Sequence, residues 1–562
     1  MKKELFGVFG DREDFTRYRS EYEFDRVVSG EVVTVGVRDI GLGLDGRTSI
    51  YSGDDGVCVI WGEVFPPHPI SKPPAEWLLE RYATDGDEAF DEINGSSVVL
   101  IEHDGEAKVA VDTIRSWEVF YTDSPGLRVF GTDASQVARP IQTPEVTQKS
   151  LYEFLHLGFV LDGRTVFDQL RRVPFDGYLT ETGTETLRRF VYEPEEFDYV
   201  EELARRLRRA IRRRSHLPGR KGLLLSAGYD SRCILSQLPE IDETFTIGTS
   251  GTPEVEVAKR LADQYGVGHK VLETNDKYLN TGDEIIKHTN GVKESLHIHH
   301  GGYDDEMQVD TVFHGLLFDT LLRGHFLPRD GIEILGKTVP RERLDPDPQP
   351  IEHLATTLGM FSNNQNLDLS GASVAADDAS TFIREQIRSE FGRFTDRCES
   401  VYDAIELFTV RAMPTQAFHT HLASNYLDAF IAADKELIEW HLKTPPEHRN
   451  EQTYLKALRK LDDEMLKHRP PDRPHDSSQL NEVETFIRRV VPGLEAAGNP
   501  WPDRNDVYNQ YNLDQKLFPG YKSVHSLPVR MKLRINDVSR WMRLSTSESQ
   551  LTPEEVISPP RV

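Results

Sequence analysis

The sequence predicts a multidomain chain of mixed α/β and α+β class, with a β-rich first part, an α/β middle and a helical end. Three observations predict it. Residues 1–140 break into short strands separated by turn signals; at Leu223–Leu235 an apolar strand runs through a Ser/Gly/Asp turn into a helix, with further strand and helix patterns behind it; and from about Val401 apolar residues recur at helical spacing. At 562 residues the chain can build two or more cores.

In the first part, Val98–Glu102 and Lys108–Val111 flank the turn His103-Asp104-Gly105, and Val119–Thr122 and Leu127–Gly131 flank Asp123-Ser124-Pro125-Gly126. Gly41-Leu42-Gly43-Leu44-Asp45-Gly46 has the spacing of a dinucleotide fingerprint, but strand-like residues follow it, so a hairpin is expected. Arg139-Pro140 ends this domain, and 141–200 reads as a connector. The basic run RRLRRAIRRR places Leu203, Leu207, Ala210 and Ile211 on one helical face, the pattern of a solvated helix with one buried side.

The middle segment carries the chemistry. After Leu223-Leu224-Leu225 comes Ser226-Ala227-Gly228-Tyr229-Asp230-Ser231, and Cys233-Ile234-Leu235 opens a helix. Amide groups at such a turn converge, and the helix dipole adds partial positive charge, so phosphate oxygens suit it. Gly228 permits close approach, Asp230 offers the hard oxygen that Mg²⁺ takes, and Ser226 and Ser231 offer hydroxyls. The competing reading is a plain helix cap. Thr244–Gly248 and His269–Leu272 read as buried strands around a helix, Glu254–Tyr265, which together imply a parallel sheet with its ligand at the strands' carboxyl ends. His297, His299 and His300 sit in HIHHGGYDD without a second ligand group at metal spacing; there His300 or Tyr303 is a candidate substrate contact.

These residues resemble the asparagine synthetase family. Its PP-loop domain carries S-G-G-x-D-S, here SAGYDS with Ala227 for the first glycine, and Phe245, Gly248, Glu254, Gly268 and His269 fit the phrases behind it. The family's S-G-E-G-x-D-E falls on His314-Gly315-Leu316-Leu317-Phe318-Asp319-Thr320, where Gly315 and Asp319 agree and Leu316 and Thr320 replace the glutamates. Family members with a glutaminase begin M-C-G-I-F-G. Leu5-Phe6-Gly7-Val8-Phe9-Gly10 aligns with it so that Phe6 takes the cysteine's place, and Trp61-Gly62-Glu63-Val64-Phe65 matches N-G-E-I-Y with Trp61 for the asparagine. Asn94-Gly95, Asp112 and Gly131-Thr132-Asp133 fit the remaining scaffold phrases. The resemblance implies an Ntn-hydrolase-like sandwich over 1–140 that has lost its nucleophile, a connector over 141–200, a PP-loop (adenine nucleotide alpha hydrolase-like) domain over 201–545 and a mobile tail over 546–562.

The implied chemistry is ATP-dependent. Asp230 and Asp319 would hold Mg²⁺; Leu225, Ser226, Ala227, Gly228, Ser231, Ile247, His314 and Gly315 would contact ATP; and Lys467 and Arg469 are the candidates for the family's catalytic lysine. The implied substrates are a small carboxylic acid, aspartate or a relative, and an amine donor. Ammonia from solution, cyclisation as in β-lactam-synthetase-like relatives, and a nucleotide-binding pseudoenzyme remain the alternatives, and a homodimer is compatible with each.

Composition narrows the class. With 93 acidic against 66 basic residues and a net charge of −27, nucleic acid is not an expected partner. This acidic, arginine-favouring surface is that expected of a halophilic cytoplasm, and the three cysteines at no metal or disulfide spacing fit a reducing compartment. No run is long enough to span a bilayer and the start has no signal-peptide core, so a cytoplasmic protein without membrane contact is expected.

Overall fold

The computed structural model describes residues 2–122, 128–279, 281–334, 337–359, 376–475, 480–481, 483–484, 501–546 and 551–557. The first domain is built on two six-stranded sheets. Strands β1 (Glu4–Val8), β2 (Arg26–Ser29) and β3 (Thr34–Arg38) belong to one; β4 (Ser49–Gly53), β5 (Gly56–Gly62), β6 (Ser97–His103) and β7 (Glu106–Val111) belong to the other. β8 (Phe120–Thr122), β9 (Val129–Gly131) and β10 (Leu170–Arg172) complete the first in the order β10-β8-β9-β1-β3-β2. β11 (Gly177–Leu179) and β12 (Thr184–Thr186) complete the second as β12-β11-β7-β6-β5-β4.

Strand periodicity explains the layers. In β1 and β5, Leu5, Val57, Val59 and Trp61 point between the sheets, while Phe6, Cys58 and Ile60 point outward into separate cores. Helix α1 (Pro74–Asp85) covers the outer face of the second sheet. Helices α2 (Ala134–Ala138) and α3 (Gln148–Leu157) cover that of the first, completing a four-layer sandwich.

Three expectations are corrected. The sandwich does not end at 140, because β10 pairs with β8 and β11 with β7; three-residue strands leave no periodicity to read. The glycine-rich 41–46 stretch is not a hairpin: it carries the chain from β3 in one sheet to β4 in the other. The tail is not mobile over Pro553–Ile557, which is helical with Val556 and Ile557 buried.

The second domain begins with helix α4 (Tyr199–Arg213), whose Leu203, Leu207, Ala210 and Ile211 are buried as the arginine-rich pattern requires. It leads into a five-stranded parallel sheet of β13 (Lys221–Leu224), β14 (Glu243–Gly248), β15 (Gly268–Glu273), β16 (Thr311–Phe313) and β17 (Leu427–Ala429), ordered β15-β14-β13-β16-β17. Helix α5 (Tyr229–Gln237) follows β13, α6 (Pro253–Tyr265) follows β14 and α7 (Phe318–Arg323) follows β16. Chain order reverses between β13 and β16, so a crevice opens there at their carboxyl ends. Helices α8 (Val401–Ala412), α9 (Gln416–Asn425), α10 (Lys435–Lys443) and α11 (Glu451–Leu461) make the helical part. Finally α12 (Val529–Ser545) returns to the sandwich, packing Ile535, Val538, Trp541 and Met542 against the core of Phe6 and Phe120, with α13 (Pro553–Ile557) beside it.

Among the described residues, no helix is long and apolar enough to cross a membrane.

Candidate nucleotide-binding site

The crevice between β13 and β16 opens into a cavity of about 500 Å³. Leu225, Ser226, Gly228, Asp230 and Ser231 line it from the first turn, Ile247 from the end of β14, and His314, Gly315 and Asp319 from the turn after β16. Of the residues expected at the nucleotide, Ala227 alone turns away. Its amide donates to Glu254 Oε1 at 2.7 Å, and its carbonyl accepts from the buried Arg232 guanidinium.

The turn is tightly wound. Ser226 N–H donates to Ser231 Oγ at 3.0 Å, Gly228 N–H to Ser226 Oγ at 3.1 Å, and Gly228 caps α5. Gly315 is required on the opposite side, since a Cβ there would stand 2.7 Å from the Asp230 Cβ. Leu317 falls where the family's motif has its second glycine, and it adopts φ +66°, the left-handed region that glycine favours.

Two carboxylates face this close approach. Asp230 Oδ1 is shut off from solvent and makes no hydrogen bond, while Oδ2 accepts from Arg323 Nη2 at 3.2 Å. Burial, reinforced by Asp319 and partly offset by Arg323, raises the Asp230 carboxyl to about 6. Asp319 Oδ1 accepts from the Thr320 amide at 2.7 Å. A buried oxygen without a donor, beside a second carboxylate, is a fitting ligand set for a hard divalent cation. Asp230 and Asp319 are the groups that would hold Mg²⁺ here.

The cationic side chains differ from those expected. Lys467 is exposed, with its ammonium 3.9 Å from Glu464, and Arg469 is exposed and donates to the Pro474 carbonyl; neither lines the cavity. Arg323 and Arg473 do. Both reach Glu451, Arg323 at 3.8 Å and Arg473 at 2.7 Å, and Arg473 lies over the Tyr229 ring. Arg323 remains charged, because Asp230 and Asp319 outweigh the burial that would otherwise lower it. The sequence offered one signal for it, a position one helical turn after Asp319. His297 and His299 also line the cavity, whereas His300 is buried and pairs with His421 at 3.0 Å and Tyr303 is buried with its hydroxyl on the Glu273 carbonyl.

The first domain's polar residues face the second. Glu63 accepts from the fully buried Arg214 at 2.8 Å, and Arg214 also reaches Asp434 at 3.0 Å; Asn94 Oδ1 accepts from the Lys435 amide at 2.8 Å. The residue facing Trp61 is Lys3, not Phe6. Its ammonium lies over the Trp61 and Trp117 rings and 3.3 Å from Asp39, with its pKa lowered by burial against the pull of Asp39. Phe6 points to the opposite face, between Phe15 and Phe24. The family phrase therefore fits with Phe6-Gly7 as its F-G, which puts Lys3 in the cysteine's place. Burial raises all three thiols, that of Cys398 to about 12, and Cys58 and Cys233 lie in the cores.

Fold and crevice define an α/β domain with a five-stranded parallel sheet joined to a four-layer sandwich. Residues 202–296, which include the Ser226–Ser231 turn, match the family model described as asparagine synthase. No curated protein matches the chain. Similar solved structures include glutamine phosphoribosylpyrophosphate (PRPP) amidotransferase from B. subtilis complexed with ADP and GMP, at 10% identity over 48% of this chain and 65% of that one, TM-score 0.22. Another is described as the allosteric regulatory enzyme of purine biosynthesis, at 11% identity over 57% and 75%, TM-score 0.22. The chain thus spans just under two thirds of the first of these.

Proposed function

We propose that the protein is an asparagine-synthetase-like ligase that activates a small carboxylic acid, aspartate or a relative, with ATP and passes the acyl group to an amine. The observation that carries this reading is the unpartnered Asp230 oxygen opposite Asp319, at the mouth of a phosphate-type turn inside a domain of the asparagine synthase family.

The acid's oxygen attacks the α-phosphorus of ATP, forming the acyl-adenylate and releasing pyrophosphate, and the amine then displaces AMP. Mg²⁺, when bound, would neutralise phosphate charge. The residues do the rest. Asp230 and Asp319 fix the position of that charge. The Ser226 and Ser231 hydroxyls and the Gly228 amide exchange their internal hydrogen bonds for pyrophosphate oxygens, and Arg323 and Arg473 oppose the charge that develops on the leaving group. The amine is ammonia from solution or another free amine, because Lys3, at the place of the family's nucleophile, is a buried ion-paired ammonium.

Pyrophosphate exchange into ATP that depends on an added acid tests this reading. Exchange with aspartate or a related acid, lost in Asp230→Ala, supports it. No exchange across a broad acid panel by protein that binds ATP favours the pseudoenzyme.

A further inference from the structure

Behind the cavity wall lies a line of buried polar groups that crosses from one domain to the other. His314 Nδ1 accepts from the Leu316 amide at 3.2 Å, so its proton is on Nε2, which donates to Asp428 Oδ1 at 2.9 Å. Asp428 Oδ2 accepts from His419 Nδ1 at 2.6 Å, and His419 Nε2 lies 3.2 Å from Ser96 Oγ in the first domain. Ser96 Oγ is 2.6 Å from Ser116 Oγ, and the Ser116 hydroxyl donates to Asp112. Asp112 also accepts from the Ile114 and Ser116 amides, and burial raises its carboxyl despite these bonds.

With the Ser116 hydrogen on Asp112, the Ser96 hydroxyl stands between Ser116 Oγ and His419 Nε2 and bridges the two. His314, His419 and Asp428 have ligand atoms within 4.8 Å of one another, the spacing of a metal site. A metal would need a lone pair on His314, whose Nδ1 is taken by the Leu316 amide and whose Nε2 is on Asp428.

We propose that the chain Asp112–Ser116–Ser96–His419–Asp428–His314 sets the position of the turn carrying Gly315 and Asp319, so that first-domain side chains determine how tightly the site holds its divalent cation. The turn needs such an anchor. It must keep Leu317 in the left-handed region and Gly315 against Asp230, and the His314 ring holds the intervening Leu316 amide. This gives the sandwich a task that glutamine hydrolysis does not enter. His314, Asp428 and His419 are positioning residues.

The proposal rests on the Mg-ATP reading of the cavity, and calorimetric titration with ATP, with and without Mg²⁺, separates the two. In His419→Ala the Mg²⁺ concentration for half-maximal nucleotide binding should rise about fivefold or more, the scale of a coupling between sites. Affinity for metal-free ATP should hold to within about twofold, because the turn amides are untouched. Ser96→Ala, which leaves the second domain intact, should shift it about two- to threefold in the same direction. His419→Asn, whose amide can still donate to Asp428, should restore most of the loss. Unaltered Mg²⁺ dependence in both alanine variants overturns the proposal, as does equal loss of metal-free and metal-dependent binding. One equivalent of transition metal per chain, released by His419→Ala, overturns it in favour of a metal site. Absence of Mg-ATP binding by the unsubstituted protein overturns the nucleotide reading and this proposal together.

Discussion

Gly315→Ala tests the geometry of the site with a single methyl group. Its Cβ would stand 2.7 Å from the Asp230 Cβ, 3.2 Å from the Asp230 carbonyl carbon and 3.3 Å from the Ser231 nitrogen. The nearest of these neighbours sits at the root of a side chain and the other two are backbone, so none can swing aside. To reach the 3.4 Å of ordinary contact, the two turns must separate by at least about 0.7 Å. Overpacking of this kind costs about 1–3 kcal/mol of stability. Displacing Asp230 from Asp319 by most of an ångström should lower acid-dependent pyrophosphate exchange by roughly 10- to 100-fold. Gly282→Ala is the control: Gly282 has φ −88° and nothing within 4 Å of an added Cβ, and it lies outside the cavity lining. Exchange kinetics and thermal denaturation of both variants decide the matter. If Gly315→Ala exchanges within about threefold of the unsubstituted protein, a barrier change below about 1 kcal/mol, the two turns do not form one site.

Three further outcomes are expected. Asp230→Asn should abolish Mg²⁺-dependent nucleotide binding yet stabilise the unliganded protein: a carboxyl raised from 3.8 to about 6 disfavours folding when ionised, by up to about 3 kcal/mol at about 1.36 kcal/mol per pH unit. Because the folded-state value is the higher one, the gain is complete above pH 6, shrinks as pH falls through about 6 to 4 and vanishes below 3.8, which denaturant titrations at pH 8 and pH 4 would reveal. Arg473→Ala and Arg323→Ala should each lower exchange more than about tenfold, whereas Lys467→Ala and Arg469→Ala should stay within about twofold, since the latter pair lies outside the cavity. Arg214→Met should destabilise the protein in denaturant unfolding, by less than the about 3–5 kcal/mol of a fully orphaned buried pair because Asp434 keeps Arg213 at 2.7 Å and Glu63 keeps Arg47 at 3.7 Å, while Arg205→Ala, exposed on the same helix, should change little.

The Ser226–Ser231 turn was legible as a strand-to-helix turn because strand, turn and helix are contiguous in sequence, and the place of Asp319 opposite it because it sits in a comparable local phrase. Arg323 and Arg473 were not, since only the folded chain brings α7 and the 470–473 stretch over the same carboxylates. The three-residue strands β10 to β12 escaped notice for want of periodicity, and the apolar pair Val556-Ile557 was hidden in a polar setting. The first strand misled for a more specific reason. Leu5-Phe6-Gly7-Val8-Phe9-Gly10 contains Phe-Gly twice, three residues apart, and an odd shift along a strand exchanges its two faces. Only the burial of Phe6 on the outer face and of Lys3 against Trp61 settles which register holds. Ser96 and Ser116 carry no signal in the sequence at all, because serines in loops are common and His419, the partner of Ser96, is remote along the chain.

The layer that seals the sandwich from outside joins Phe6 and Val8 to Trp541, Met542 and Val556. During translation those early strands and the helices α2 and α3 that cover them emerge long before α12, so the part of the layer that α12 seals stays open until that helix is made. Contacts this distant slow folding and prolong the interval in which sticky surface is open to other molecules. Chaperone demand in the cell should therefore fall mainly on the first domain, although the helix that relieves it is encoded about 400 codons downstream of α2.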